Sequence, residues 1–349
     1  MHKASFTDAI KEATAAAMEA DRAVHVVGLG VSYPNGADGT TAGLAERFPD
    51  RVHDVPCSEA AITGMAVGAA AMGLRPIVHH GRVEFGFFAS DQILTQAAKW
   101  SYMFGGNYPV PAVFRLCIGR QWGNGPQHTQ VARGMFAIPG LKVVAPSTPL
   151  MAKRLLLAAV ADQNPIVYLE HRWLYKLRQS VDNDAILADL SRAMVVRAGS
   201  DVTIVGLGDT VVESLKAANA LAMSGISAEV IDLVSVYPVD YATIQESAQR
   251  TGKLIVVDTA TPGYDIGADI VANVSGFETA YRLNSLPVPC PTAPSLTAGY
   301  YPTCHEIFEA AERCMLPGNL QSAGRVLLPE KTFASLHLPP THDLDELMQ

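Results

Sequence analysis

Short runs rich in β-branched residues alternate with helical stretches along most of this 349-residue chain, which leaves few folds open. Strand-like segments at 23–27, 52–55, 75–79, 112–118, 142–145 and 166–169 are separated by helical segments at 41–46, 59–72, 90–101 and 149–160. A helix over 5–20 opens the chain: Ser5 and Asp8 have capping-box spacing, and Phe6, Ile10, Ala13 and Ala17 share one face. Apolar strands joined by crossover helices build a parallel sheet covered on both faces. A second α/β set follows, with strands at 201–205, 228–233 and 254–258 and helices at 211–223, 241–251 and 303–315. Between the sets, 171–200 is rich in Arg, Asp and Ser and lacks a clear period. The expected organisation is α/β with two domains, 1–180 and 201–318, a linker at 181–200 and a tail at 319–349.

Composition narrows the partners. Hydrophobic residues make up 49% and charged residues 17%, as in a globular protein with substantial cores, and the net charge of −8 speaks against non-specific binding to nucleic acid or anionic membranes. The five cysteines (57, 117, 290, 304 and 314) are odd in number and lack CxxC spacing, so they suggest neither a disulfide framework nor a zinc site. No apolar run reaches membrane-spanning length and the first residues lack a signal-peptide core, so a reducing, cytoplasmic setting is expected.

Two glycine pairs, Gly28-Leu-Gly30 and Gly206-Leu-Gly208, follow strands as a dinucleotide-binding turn would. Tyr33 and Val211 stand where the third glycine belongs, and a bare GxG after a strand is more often a tight βα turn. Chemistry concentrates elsewhere. Glu59 closes the strand-like run 51–55 and opens a helix of small residues, at the carboxyl end of a strand where open α/β sheets bind ligands. An acid there also suits the helix dipole without any further role. Phe85, in an aromatic cluster at 84–93, sits where a ring can stack on a ligand or fill a core. His128 lies in a glycine-rich polar loop, 119–130, where an imidazole can exchange protons near neutral pH or merely face solvent.

The order of these patches resembles one family. Asp-Val-Pro-Cys-Ser-Glu-Ala-Ala-Ile (54–62) is followed by Gly-Leu-Arg-Pro-Ile-Val (73–78), by Phe85 with Asp91-Gln-Ile, by Gly105-Gly106 and by Gln127-His-Thr-Gln130. Then come Pro139-Gly-Leu-Lys-Val-Val, Gly199-Ser-Asp-Val-Thr-Ile-Val and Ile226-Ser-Ala-Glu-Val-Ile-Asp-Leu. Over roughly 5–315 the chain is similar to the beta subunits of the thiamine-diphosphate-dependent, decarboxylating component of 2-oxo-acid dehydrogenase complexes, within the transketolase-like superfamily.

That resemblance implies a pyrimidine-binding domain followed by a smaller C-terminal α/β domain used in assembly. Glu59 matches the glutamate that hydrogen-bonds the cofactor's aminopyrimidine ring, and Phe85 the aromatic residue that stacks on it. Cys57 falls where the family has an apolar residue lining the same pocket. His128 matches the active-site histidine, which donates to a carbonyl or exchanges a proton with the acceptor. The family's Gly-Asp-Gly segment for diphosphate and magnesium is missing here; Ala37-Asp38-Gly39 and Gly208-Asp209-Thr210 are the nearest approaches. The Mg2+ ligands are therefore expected on a separate alpha chain, in an α2β2 assembly with lipoamide on an acyltransferase as acceptor. An enzyme passing its acyl unit to an aldehyde, transketolase-like or acyloin-forming, is the alternative, and a non-catalytic assembly subunit is another. The chain departs from the family at His79 and at Gly81-Arg82, where Arg82 suits a substrate carboxylate or a structural pair.

Overall fold

The computed structural model describes residues 1–119, 125–131, 133–316 and 343–348. Residues 120–124 of the glycine-rich loop and nearly all of the expected tail lie outside them. The chain divides into two compact units: Met1–Gly119 with Met135–Leu190, and Arg120–Gly134 with the residues from Ser191 onward. The segment that carries His128 thus groups with the second unit, although the sequence places it within the first domain.

In the first unit, β1 (His2–Ser5) leads into α1 (Phe6–Ala20), and the Ser5–Asp8 capping box forms as its spacing predicts. Then come β2 (Val24–Gly28), α2 (Leu44–Arg47), β3 (Val52–Asp54), α3 (Glu59–Ala71) and β4 (Arg75–His80). After α4 (Val83–Phe88) the chain passes through a π-helical stretch, Asp91–Ala97, into α5 (Ala98–Met103). The unit is completed by β5 (Val113–Ile118), β6 (Lys142–Val144), α6 (Pro149–Ala161), β7 (Ile166–His171) and β8 (Arg178–Val181). Its sheet runs β6-β7-β5-β4-β2-β3, every pair parallel. β5 and β7 are buried along their whole length, as central parallel strands should be. Helices α1 and α6 pack on each other, α1 burying Phe6, Ile10 and Met18 completely. Each such side chain stabilises the fold by roughly 1.5–3 kcal/mol.

The second unit adds β9 (Met194–Arg197), β10 (Val202–Gly206), α7 (Asp209–Met223), β11 (Ala228–Asp232), β12 (Ser235–Tyr237) and α8 (Tyr241–Thr251). It continues with β13 (Lys253–Val257), α9 (Ile266–Asn273), β14 (Thr279–Leu283) and α10 (Cys304–Met315). Its sheet runs β14-β13-β10-β11-β9, parallel except for the last pair. Gly206-Leu-Gly208 is a tight βα turn leading straight from β10 into α7. This is the doubly layered α/β architecture expected from the sequence.

Three regions differ from expectation. The stretch 171–200 carries β8, which pairs antiparallel with β1, and β9, which pairs antiparallel with β11. Residues 90–101 are a π-helical stretch continued by an α-helix rather than one α-helix. Within the tail, Leu344–Leu347 forms a helical turn whose Leu344 is fully buried and whose Leu347 carbonyl accepts from Asn219 at 2.9 Å.

Helix α3 bears on assembly. Its positions Ala61, Met65 and Gly68, continued by Met72, are all exposed and fall on one side of the helix. Met65 is 62% and Met72 86% exposed, an apolar stripe of the kind that marks an interaction surface.

Candidate active site

The carboxyl ends of β2 and β4, the turn before α3 and the first turn of α4 enclose a small recess in the first unit. It holds about 80 Å³ and is lined by Gly28, Leu29, Pro56, Cys57, Glu59, Ile62, His79, His80, Gly81 and Phe85. Three of the residues singled out in the sequence, Glu59, Phe85 and Cys57, therefore share one wall system. A larger open groove, about 420 Å³, lies between α1, α2 and Lys153, but its charges are already matched. His2 and Lys153 meet Glu12 at 2.8 and 3.2 Å, and Arg47 pairs with Glu19. The small recess is where unspent chemistry collects.

Glu59 is the first residue of α3, so the positive end of the helix favours its charge. The Cys57 thiol lies 3.7 Å from Glu59 Oε1. Gly28 ends β2 at a point where a Cβ would stand 2.7 Å from the His79 carbonyl oxygen, so only glycine lets the two strands close at the recess floor. Asp54, at the end of β3, accepts from the Gly30 amide at 2.8 Å and the Ser32 hydroxyl at 3.1 Å and shapes the loop after β2.

Two consecutive imidazoles close the recess: His79, which the sequence marks only as a departure from the family, and His80, which it does not mark at all. His80 Nε2 lies 3.0 Å from Thr63 Oγ1 on α3. Burial pulls His80 down to about 4, against the opposing pull of Glu59, so it is neutral at physiological pH. His79 is held well below the usual histidine range by burial first, and then by Arg115, His80 and Arg172. Behind it stands a fully buried ion pair: Arg115 Nη2 donates to both oxygens of Glu170 at 2.9 Å. His79 Nδ1 is 3.7 Å from Glu170 Oε1 and makes no hydrogen bond. One signal in the sequence marks this pair, since each is a lone formal charge inside a largely apolar strand, which demands a buried partner.

The depressed His80 carries a pH prediction. In the unfolded chain the ring protonates near 6.5, in the folded one only near 4. Stability attributable to His80 is therefore complete above pH 6.5 and is lost as pH falls toward 4, by about 3 kcal/mol in all. Thermal unfolding followed from pH 7 to 4.5 should show a steep loss in the native chain and a shallower one in His80→Asn. Equal slopes would contradict the assignment.

Arg82 precedes α4 and is buried, with Nη1 unbonded, but it is not among the recess residues. His128 ends a short 3-10 turn, Pro126–His128, in the second unit and is partly exposed. Among the described residues no group of three or more His, Cys, Asp or Glu side chains could hold a metal ion.

A carboxylate at a helix start, an aromatic ring and two neutral imidazoles suit a flat, weakly basic heterocycle. Comparison with known proteins agrees with that geometry. The model "Transketolase, pyrimidine binding domain" matches residues 2–178, and "Transketolase, C-terminal domain" matches 191–307. The fold and recess therefore define a two-domain, transketolase-like chain. The beta subunit of acetoin:2,6-dichlorophenolindophenol oxidoreductase from Cupriavidus necator is 39% identical over 90% of this chain and 98% of its own. The pyruvate dehydrogenase E1 component subunit beta-1, mitochondrial, of Arabidopsis thaliana is 39% identical over 88% of each chain. A solved structure, "Split gene transketolase, inactive beta4 tetramer", superposes with a TM-score of 0.73 at 20% identity, covering 89% of this chain and 98% of that one, and shows the fold alone. The chain belongs to the transketolase-like family of E1-type beta subunits that these relatives represent.

Proposed function

We propose that this chain is the beta subunit of a heteromeric thiamine-diphosphate-dependent enzyme that breaks the bond beside a ketone carbonyl and passes the acyl unit on. A 2-oxo acid is the donor and lipoamide on an acyltransferase the acceptor. The observation that carries the reading is the recess itself, where Glu59 and Phe85 meet between two strand ends. When bound, the cofactor supplies a nucleophilic carbon and an electron sink. Glu59 would hydrogen-bond the ring nitrogen and set the ring's protonation state, with Phe85, Cys57 and Ile62 as the apolar walls that would hold the ring. The neutral imidazoles of His79 and His80 add no competing charge beside Glu59. His128 donates to the substrate carbonyl or exchanges a proton with the acceptor, and Arg82 receives the carboxylate of a 2-oxo acid.

The Mg2+ and diphosphate ligands come from an alpha chain, in an α2β2 assembly that the exposed stripe on α3 supports. No described helix is long and apolar enough to cross a membrane, and a cytoplasmic location completes the proposal. A second reading replaces the 2-oxo acid by a hydroxylated ketone. It is favoured by the similarity to the beta subunit of an acetoin oxidoreductase, whose named substrate is a hydroxylated ketone.

Co-expression with the alpha-like partner, followed by calorimetry with thiamine diphosphate and magnesium, tests the cofactor assignment. Binding should require both chains. Binding by the beta chain alone, or by neither form, would refute it.

A further inference from the structure

We propose that Arg82 is an anion-binding site filled in the resting enzyme: a compact oxyanion from solution holds its guanidinium until the donor's carboxylate displaces it. The displacement rests on the donor reading above; the anion site itself does not.

Among the described residues one lysine and two arginines are buried: Lys153 at 5% exposure, Arg115 at 0% and Arg82 at 7%. Two of these cations have their acids. Arg115 holds both oxygens of Glu170 at 2.9 Å, and Lys153 Nζ lies 3.2 Å from Glu12 Oε2 and 2.6 Å from the Asp182 carbonyl. Arg82 is different. Its Nη1 is inaccessible and makes no hydrogen bond, and among the described residues no carboxylate forms an ion pair with it. A lysine can shed its charge when buried, whereas an arginine cannot. A buried charge without compensation is strongly destabilising, and an orphaned buried polar atom in a native chain calls for an ion or a ligand.

The chemistry of the fork says which ion. A planar guanidinium donates along parallel N–H bonds and matches a flat oxyanion, a carboxylate or an inorganic analogue of one, better than a spherical halide. With so little of Arg82 exposed, only a compact anion reaches it. In the chain, Arg82 stands between Gly81 and Phe85, and both of these line the recess that holds Glu59. Its backbone is therefore at the margin of that recess, where the donor's carboxylate is the anion that the reaction brings. Resting anion and donor would compete for one guanidinium.

The test has two arms. In the first, the full-length beta chain is melted without partner or cofactor while potassium nitrate or formate replaces bulky potassium gluconate at constant ionic strength. The melting temperature should rise along a saturating curve, by about 2 °C or more. Arg82→Met should melt above the native chain in gluconate, because it removes a charge that lacks a counter-ion, and should show no saturable rise. If methionine disturbs folding, Arg82→Gln reads the anion response. An equal rise in native and variant chains would be a bulk salt effect and would overturn the site, as would Arg82→Met melting below the native chain in gluconate. In the second arm, the assembled alpha–beta holoenzyme with thiamine diphosphate and magnesium turns over pyruvate, or 2-oxobutanoate where that is the better donor. Nitrate should raise KM several-fold and leave kcat unchanged, and Arg82→Met should start from a raised KM and ignore nitrate. Native turnover indifferent to nitrate would overturn the displacement and mean that a carboxylate of the partner subunit fills the fork on assembly. A holoenzyme that turns over neither 2-oxo acid refutes the donor reading, and the displacement with it; the first arm, which needs no turnover, still decides whether Arg82 holds an anion.

Discussion

Glu59→Gln should reduce turnover of the assembled enzyme by about a hundredfold to ten-thousandfold, the range a positioned acid–base group contributes. Glutamine keeps the length and shape of the side chain at the start of α3 and removes only its charge and its capacity to hold a proton. Cofactor affinity should fall less, by about ten- to a hundredfold, because a charge-assisted hydrogen bond contributes about 1.5–3 kcal/mol to binding. That split between a large kinetic and a small binding effect is the signature of a group that does more than hold the ring. Single-turnover kinetics and calorimetry on the same preparation separate the two. Equal losses would reduce Glu59 to a binding residue, and full activity would remove it from the site. Stability should hardly change, since the side chain is partly exposed and its hydrogen-bonding contact is the Cys57 thiol at 3.7 Å.

The fold was legible where the period was strong. β5 and β7 read as strands because each is a run of mostly apolar residues, and α1 because Ser5, Asp8 and the Phe6–Ile10 spacing point the same way. β8 and β9 escaped notice for a physical reason. Each is four residues long, β9 is at most half-buried along its length, and pairing distant in sequence creates both strands. The π-helical turns at 91–97 leave no mark in a 3.6-residue pattern. At the site, Glu59 and Phe85 stood out by their places at a strand end and in an aromatic cluster, Cys57 by resemblance alone, and the structure brings the three to one recess. His79 stood out only as a departure from the family and His80 not at all, because nothing local says that one backs onto Glu170, ninety-one positions on, and the other onto Thr63.

Arg115→Leu or Glu170→Leu alone should destabilise the first unit by about 3–5 kcal/mol, because each leaves the partner's charge buried without compensation. Both side chains are fully inaccessible on neighbouring strands of the central sheet. Burial pushes the Glu170 carboxyl up, against the pull of Arg115, while burial opposes the Arg115 charge and Glu170 more than restores it. Each group is thus tolerable only beside the other. The double variant Arg115→Leu/Glu170→Leu should recover much of the loss, since two apolar side chains of similar bulk carry no desolvation penalty. Urea unfolding of the four forms gives the coupling directly. Additive losses would mean that the pair does not hold this part of the sheet. Recovery of stability should not bring recovery of function. Without Glu170 the imidazole of His79 loses the carboxylate that stands 3.7 Å from its Nδ1, so the double variant should fold well and still turn over more slowly than the native enzyme. A natural chain that keeps a buried ion pair where leucines would serve is, on that outcome, keeping it to orient His79.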